Sequence, residues 1–321
     1  MMEHMDQTQI EIQMLSGRLI FAIRQKGAVL LGYEGKDMQI EVPERIELPS
    51  AERTVEVTEI APKAFFNSRT VSRIALPPTV RRVGDWAFSH CPMLKQVVMW
   101  EGKCELGRGL FEEDHSLRYM ILRSTAAKAE NDDAKMDEKS YGALLAAAAT
   151  TLEAPYLVST MRENESEWLK LWDQRLSAIL DLDDMEGFTE LVLCGEEDYG
   201  SRENDPKEFL QKKRWRKVRL CFLRLLHDEK LADANKTRLQ DYLRAHTKGC
   251  ESEETWLFLK KERAEDMAYL QLFTELGCVD GNNIDDCISD LSGRQPQMRA
   301  YLLKWQQEFL PERDFFSALS L

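Results

Sequence analysis

Two histidines and two cysteines lie close together in the first half of the chain, and both residue types bind transition metals. They are His90, Cys91, Cys104 and His115. A zinc site needs about four ligands that converge on one point, and its usual sequence signal is a C-x-x-C pair. The sequence contains no such pair. We therefore interpret these side chains as structural, with metal binding as the alternative, and we predict no cofactor.

A run of basic residues, KKRWRKVR, occupies positions 212–219 and has the composition of a surface for phosphates or for an acidic partner. On a helical projection, one face is apolar and consists of Val218, Cys221, Phe222 and Leu225. The opposite face carries four basic side chains: Lys212, Lys213, Arg216 and Arg224. The pattern predicts an amphipathic helix with a solvated basic face that acidic neighbours neutralise. Nucleic-acid binding by this face is the alternative.

The sequence carries no recognisable catalytic motif. Acidic residues cluster at 181–184 and 196–198, but without the spacing and the central glycine of an EF-hand loop. G-x-S-x-G, P-loop and dinucleotide-binding patterns are all absent from the sequence. We therefore predict a protein that is not an enzyme. The alternative is a hydrolase or metal-dependent activity in the C-terminal helical region, where Asp, Glu and His side chains would have to converge in a pocket.

Charge is distributed unevenly along the 321 residues, whose net charge is -13. Residues 1–123 hold 16 Lys and Arg against 17 Asp and Glu, a net charge of -1, and the remainder holds 27 against 39, a net charge of -12. This asymmetry predicts two modules of different character. An acidic chain repels phosphate backbones and anionic lipids, so we expect neither nucleic acid nor a membrane as the partner.

The N-terminal sequence MMEHMD lacks the basic and apolar segments of a signal peptide. No stretch approaches the roughly 18 apolar residues that span a bilayer. The cysteine count is seven, an odd number that argues against a disulfide framework and indicates reduced thiols. We therefore expect a cytoplasmic protein. If a leader has been removed, adhesion or host binding becomes the alternative function.

An internal repeat with a period of 23 residues organises the first third of the chain. The period relates three pairs that end in phenylalanine: Ala64-Phe65, Ala87-Phe88 and Leu110-Phe111. It also relates three alternating apolar pairs typical of β-strands: Ile74/Leu76, Val97/Met99 and Met120/Leu122. A period of 23 falls within the range of leucine-rich repeats. Stacked coils would share one core, with Phe65, Phe88 and Phe111 in a single column.

The pattern LPxxVxxVGxxAFxxCxxLxxV, from Leu76 to Val97, resembles the BspA-type leucine-rich repeat. The resemblance covers roughly residues 28–122. The third coil departs from it, with Leu110 in place of Ala and Asp114 in place of Cys, which predicts that the repeats end there. The resemblance implies a short leucine-rich-repeat β-solenoid. It also implies a binding function, because members of this family are often bacterial surface proteins that bind host or partner proteins.

The fold class predicted from these patterns is α+β, with four segments. They are a β-hairpin cap (1–35), BspA-type repeats (36–123), a linker with a connecting helix (124–163) and an α-helical domain (164–321). Helical spacing predicts one long helix from Trp256 to Leu276, and a later helix that the side chain of Asn283 caps. Roughly residues 250–310 resemble degenerate ankyrin-type helix pairs, although the Thr-Pro-Leu-His signature is missing.

The outward positions of the predicted strands suggest where a partner binds. At the 23-residue step, four apolar side chains adjoin on one face: Val98, Trp100, Tyr119 and Ile121. An exposed aromatic and aliphatic patch suits a protein partner, unless the helical domain docks there and hides it. We therefore predict a non-enzymatic, intracellular bacterial scaffold for protein–protein interactions.

Overall fold

The computed structural model describes residues 9–48, 53–100, 104–123, 141–160, 164–189, 205–291, 293 and 295–310. The predicted linker at 124–140 and the acidic cluster at 196–198 lie outside these residues. The chain divides into two compact units, Met1–Trp172 and Asp173–Leu321. Described strands occur in the first unit, and the second unit is helical. The chain is therefore of the α+β class.

The first sheet begins with antiparallel strands and continues with parallel ones. Strands β1 (Gln9–Gln13), β2 (Gly17–Arg24) and β3 (Gly27–Gly35) form an antiparallel meander. Strand β3 then pairs in parallel with β6 (Arg53–Ile60), which also pairs antiparallel with β5 (Arg45–Leu48). Because β3 covers one side of β6, the first parallel strand has a paired neighbour rather than an open edge.

Two parallel ladders run along the repeats. The first sheet continues from β6 to β8 (Arg82–Val83) and β10 (Glu105–Leu106). The second sheet consists of β4 (Gln39–Glu41), β7 (Arg73–Ala75), β9 (Gln96–Trp100) and β11 (Tyr119–Arg123). Paired residues of β7 and β9, and of β9 and β11, lie 23 positions apart, as in Ile74, Val97 and Met120. The sequence period is therefore the step from one coil to the next.

Phenylalanine rings stack through the interior of the repeats. The centroid of Phe88 lies 5.5 Å from that of Phe65 and 5.5 Å from that of Phe111, and both pairs are stacked. All three side chains are buried. Tyr33 of β3 extends the column, with its centroid 6.2 Å from that of Phe65. The predicted column is confirmed, and each stacked pair adds about 0.5–1.5 kcal/mol to the effect of burial.

Three helices follow the last coil: α1 (Gly142–Ala149), α2 (Tyr156–Thr160) and α3 (Glu165–Asp181). Helix α1, with the sequence GALLAAAA, lies against β11 and is buried along nearly its whole length. Its small side chains allow the two backbones to come close. The indole N–H groups of Trp168 and Trp172 donate to the carbonyls of Leu157 (2.7 Å) and Leu144 (3.1 Å).

The second unit is built around one long helix, α4 (Pro206–Leu226). It packs against the three helices that follow: α5 (Asp233–Ala245), α6 (Glu254–Glu262) and α7 (Met267–Glu275). The ring centroid of Phe222 on α4 lies 5.8 Å from that of Phe258 and 5.5 Å from that of Tyr269. Two further helices, α8 (Ile284–Asp290) and α9 (Pro296–Phe309), pack against each other.

Two local predictions in this unit are wrong. The single helix predicted from Trp256 to Leu276 is two helices, α6 and α7, because the chain turns between Glu262 and Met267. The turn brings the rings of Phe258 and Tyr269 together. Asn283 stands at the start of α8 but does not cap it, since its Oδ1 accepts from the backbone N–H of Asp280 instead. The ankyrin-type pairing stays a prediction.

In the described ranges, no helix is both long and apolar enough to traverse a membrane.

Candidate functional site

The predicted partner-binding residues lie on one face of the second sheet, at its last two strands. Tyr119 pairs with Gln96, Ile121 with Val98, and Arg123 with Trp100. Because side chains alternate along a strand, all of these outward positions share one face. The tertiary structure therefore brings together the four residues that the repeat period placed side by side.

Exposure differs among these four residues more than the sequence pattern predicts. Tyr119 is 49% exposed, whereas Val98 is only 1% exposed. Trp100 and Ile121 are half-buried. The guanidinium carbon of Arg123 lies 5.9 Å from the ring centroid of Trp100 and partly covers it. The expectation of an open patch is therefore wrong for Val98, and Tyr119 is the most accessible of the four side chains.

A second set of exposed rings lies at the turns of the first and second coils, and we term it the turn cluster. It consists of Lys63, Phe66, Trp86 and His90 at these turns, together with Glu112 of the third coil. Phe66 is 43% exposed and Trp86 is 38% exposed. The Lys63 Nζ lies 5.5 Å from the ring centroid of Phe66 and 5.7 Å from that of Trp86. The ring of His90 lies 5.1 Å from that of Phe66. One ammonium group is thus in cation–π distance of two exposed rings.

The orientation of Trp86 is set by the next coil. Its indole Nε1 donates to the Glu112 Oε2 at 2.9 Å. The indole lies over Gly109, where an added Cβ would come within 2.4 Å of the indole nitrogen. Lys63, Trp86 and Gly109 occupy equivalent turn positions and all have positive φ, which glycine alone adopts without cost. This cluster was not predicted from the sequence, although the 23-residue step that relates these positions was a signal for it.

The basic residues predicted to share a solvated helix face do not all reach solvent. Lys212 is exposed, and Lys213 and Arg216 are half-buried. The Nζ of Lys213 lies 5.2 Å from the ring centroid of Phe209. Arg224 is fully buried and is bound to Asp173 through two hydrogen bonds, of 2.6 and 3.1 Å. The prediction that Arg224 belongs to a solvated face is therefore wrong, because its charge is paired in the interior.

Other residues of the same basic run are neutralised by an acidic side chain, as the pattern predicted. Asp184 accepts from Arg214 at 2.8 Å and from Lys217 at 2.7 Å. Burial alone would raise the pKa of Asp184, but the hydrogen bonds and charges of these two partners outweigh it and lower the pKa. Because Lys217 is itself buried, much of the positive charge serves the interior of the unit rather than a nucleic-acid surface.

A serine, a histidine and a glutamate meet in the helical unit. The Ser252 hydroxyl lies 2.7 Å from the His246 Nδ1 and donates to the carboxylate of Glu254. In a Ser-His-acid triad the carboxylate instead holds the histidine, which in turn binds the serine. Burial, followed by the positive charge of Arg214, lowers the pKa of His246. The order of contacts therefore differs from that of an activated nucleophile.

The histidine- and cysteine-rich stretch forms no common centre. Cys91 is buried, and its Sγ donates to the Phe65 carbonyl at 3.1 Å. Burial, followed by the charge of Asp114, raises the pKa of its thiol to about 12. The Nε2 of His115 lies 2.9 Å from the Glu113 Oε2. Among the residues that the structure describes, no group of three or more His, Cys, Asp or Glu side chains is arranged to hold a metal ion.

Residues 44–132 match the family model described as the BspA type leucine-rich repeat region (6 copies). The match covers the strands from β5 to β11, the turns between them and the three stacked phenylalanines. Over this segment, the chain is therefore similar to the BspA-type leucine-rich repeat. Proteins with such repeats are generally interaction or surface proteins, and the repeats typically serve as binding scaffolds rather than as catalytic sites. No curated protein matches the chain.

Several solved structures are similar to about a third of the chain. A leucine-rich cell surface protein from Faecalibacterium prausnitzii is 20% identical, with a TM-score of 0.30 over 36% of this chain and 32% of that protein. A leucine-rich repeat protein from Bacteroides capillosus is 16% identical, with a TM-score of 0.28 over 35% of this chain and 98% of that protein. The T. pallidum leucine-rich repeat protein is 19% identical, with a TM-score of 0.23 over 32% of this chain and 61% of that protein. The match thus spans about a third of the Faecalibacterium protein.

Proposed function

We propose that the protein is a non-enzymatic scaffold that binds a partner protein through the outward face of β9 and β11. The observation that carries this proposal is the parallel register of these strands, which holds Tyr119, Ile121 and Trp100 at fixed spacing on one face. Repeated coils present an extended surface without any need for catalytic groups. Aromatic side chains at such a surface are frequent anchors of protein–protein interfaces.

Tyr119 is the proposed anchor, since it is the most exposed of the four residues. Trp100 and Ile121, both half-buried, add apolar area beside it, whereas Val98 on the same face is buried and offers no accessible surface. Arg123 lies over Trp100 and would move aside or take part in the contact. The partner proposed for this face offers an apolar side chain to Tyr119 and a polar rim around it.

The test is affinity capture from a lysate of the source organism, with the double variant Trp100→Ala/Tyr119→Ala beside the wild type. We expect the double variant to lose one or more specific partners. Tyr156→Ala is the matched control, because Tyr156 is 53% exposed elsewhere in the first unit. Circular dichroism establishes that each variant is folded. Identical capture by the wild type and the double variant would reject this face as the binding site.

We also propose an intracellular location. Cys91, Cys221, Cys278 and Cys287 are buried free thiols, the form that cysteines take in a reducing compartment. Fractionation of source cells, with an antibody against the chain, tests this directly. Recovery at the cell surface would reject the proposal and favour the alternative role in adhesion or host binding.

The finer organisation of the chain is a proposal as well. We propose the segments 1–35, 36–123, 124–163 and 164–321, with ankyrin-type pairing of the helices between Glu254 and Phe309. The packing of α8 against α9 supports the pairing. Limited proteolysis is expected to cut first within 124–163, and a first cut elsewhere would contradict these boundaries. A crystal structure in which α6 to α9 do not stack as successive pairs would reject the ankyrin arrangement.

A further inference from the structure

Phe66 and Trp86 in the turn cluster present their rings to one positive charge. The Lys63 Nζ lies within 5.5 and 5.7 Å of the two centroids, so a single cation interacts with both rings. The two rings stay 43% and 38% exposed although Lys63 is there. Two rings and one ammonium group at such distances form a site suited to an organic cation.

We propose that Phe66 and Trp86 form a docking site for an arginine side chain in a basic segment of a partner protein, with its guanidinium group taking the place of the Lys63 ammonium. This inference rests on the proposed function in that it also assigns protein binding to the repeat region. It concerns a different face, since the turn cluster is separate from the outward face of β9 and β11.

Charge next to the rings favours a basic partner. Glu112 and Glu113 on the third coil are both exposed. Glu112 holds the indole of Trp86, and its other carboxylate oxygen can accept from a guanidinium group. Residues 1–123 carry a net charge of only -1, so the attraction for a basic segment comes from these nearby carboxylates. A partner with arginine beside small or apolar residues matches this combination of rings and carboxylates.

The indole ring of Trp86 is held in place before any partner arrives. The backbone N–H of Trp86 donates to the Arg108 carbonyl at 2.9 Å, and that of Lys63 donates to the Asp85 carbonyl at 3.0 Å. These bonds tie each turn to the next coil. The indole is fixed further by Glu112 and by the space above Gly109. The Trp86 side chain therefore loses little conformational entropy when a cation binds.

Arginine fits this site better than lysine for two physical reasons. A guanidinium group is planar and weakly hydrated, so it stacks on aromatic rings at a smaller desolvation cost than an ammonium group. Lys63 is also attached to the same chain and competes at a high effective concentration with any incoming ammonium of equal strength. Lys63 therefore acts as a built-in competitor that selects for the better-stacking cation.

The test is an NMR titration of the full-length, 15N-labelled chain with a capped peptide that contains two arginines. Backbone amide shifts of residues 84–90 report binding. We expect Lys63→Ala to bind the peptide about two- to fivefold more tightly than the wild type, and Phe66→Ala and Trp86→Gly to bind it at least that much more weakly. Met93→Ala is the matched control, because Met93 is 43% exposed in the same repeat region. A capped diglutamate peptide is expected to cause no shifts.

Unchanged affinity in Phe66→Ala and Trp86→Gly, or no gain in Lys63→Ala, would overturn the inference. Trp86→Gly is expected to fold, since glycine occupies the equivalent turn position at Gly109. The two proposals fail separately. If the wild type does not bind the arginine peptide but the variant Trp100→Ala/Tyr119→Ala loses its partner, only the proposal for the turn cluster is rejected. If the wild type binds the arginine peptide and the double variant captures the same partners as the wild type, only the proposal for the sheet face is rejected.

Discussion

The carboxyl group of Asp114 accepts a hydrogen bond of 2.6 Å through its Oδ1 from the backbone N–H of Cys91, which lies 23 residues earlier in the preceding coil. Its Oδ2 is buried and makes no hydrogen bond. Burial raises the pKa of Asp114 to about 8; the bond from Cys91 opposes the rise, and the charge of Glu113 adds to it. The third coil thus carries an ionisable acid where the second carries a cysteine.

The first prediction is that Asp114 makes the free energy of unfolding fall as the pH rises. Between about pH 4 and about pH 8 the folded state keeps the proton on Asp114, whereas the unfolded state, with the ordinary pKa of 3.8, has lost it. Folding therefore binds a proton in this window, and stability falls by up to about 1.4 kcal/mol per pH unit. Urea unfolding from pH 4 to pH 9 measures the slope.

Asp114→Cys is the variant for this pH series, because it restores the residue of the second coil. In that coil the thiol of Cys91 donates to the Phe65 carbonyl, 26 residues earlier, and the equivalent acceptor for position 114 is the Phe88 carbonyl. We expect the variant to have a higher free energy of unfolding than the wild type at pH 8. The difference between the two proteins is expected to be smaller at pH 4. A stability difference between the two proteins that does not vary with pH would contradict the assignment.

The second prediction concerns Phe88, the middle ring of the column. Phe88→Ala removes the ring that contacts both Phe65 and Phe111 and leaves a cavity between two coils. We expect a loss of about 3–5 kcal/mol in the free energy of unfolding. Phe66→Ala is the control, since Phe66 is an exposed phenylalanine of the same repeats, and its loss is expected to stay below about 1 kcal/mol. Equal losses in the two variants would contradict a shared interior column.

The third prediction concerns the buried ion pair of Arg224 and Asp173. Arg224→Ala removes the guanidinium group and leaves Asp173, itself mostly buried, without its partner. It also removes the donor to the Glu229 carbonyl. We expect a destabilisation of about 3–5 kcal/mol, measured by thermal unfolding. Lys212→Ala on the exposed part of the same helix is the control and is expected to change stability by less than about 0.5 kcal/mol. A similar midpoint of thermal unfolding for the two variants would contradict a stabilising ion pair between Arg224 and Asp173.

The fourth prediction concerns Gly84, where two coils come close. A Cβ at Gly84 would lie 2.4 Å from the backbone nitrogen of Pro62, so the coils would have to separate. We expect Gly84→Ala to destabilise the repeats by about 1–3 kcal/mol. Gly32→Ala is the control, because its nearest contact would be the Ala64 carbonyl oxygen at 3.6 Å. Hydrogen exchange of backbone amides in residues 53–123 measures the stability of the repeats in both variants. Faster exchange than in the wild type is expected only in Gly84→Ala.

Features that repeat along the chain were predictable from the sequence. The 23-residue step places Phe65 above Phe88 and Ile74 beside Val97, because each coil must bury the same positions against its neighbours. The basic run at 212–219 was recognisable as part of an amphipathic helix, and its neutralisation by acidic neighbours was predicted. That prediction was made for a solvated face, whereas Lys217, which Asp184 pairs, is buried. In the repeats, local pattern and global packing impose the same requirement.

Pairings between distant residues were decided by tertiary structure alone. The sequence marked Val98 as an outward position and Arg224 as part of a solvated face, yet both are buried. No local pattern carries the information that Asp173 lies beside Arg224, 51 residues later. Trp86 and Phe66 likewise became a cation site only when the turns of two coils put both rings around Lys63. A repeat determines which residues lie side by side, but the exposure and charge of each depend on what else packs against it.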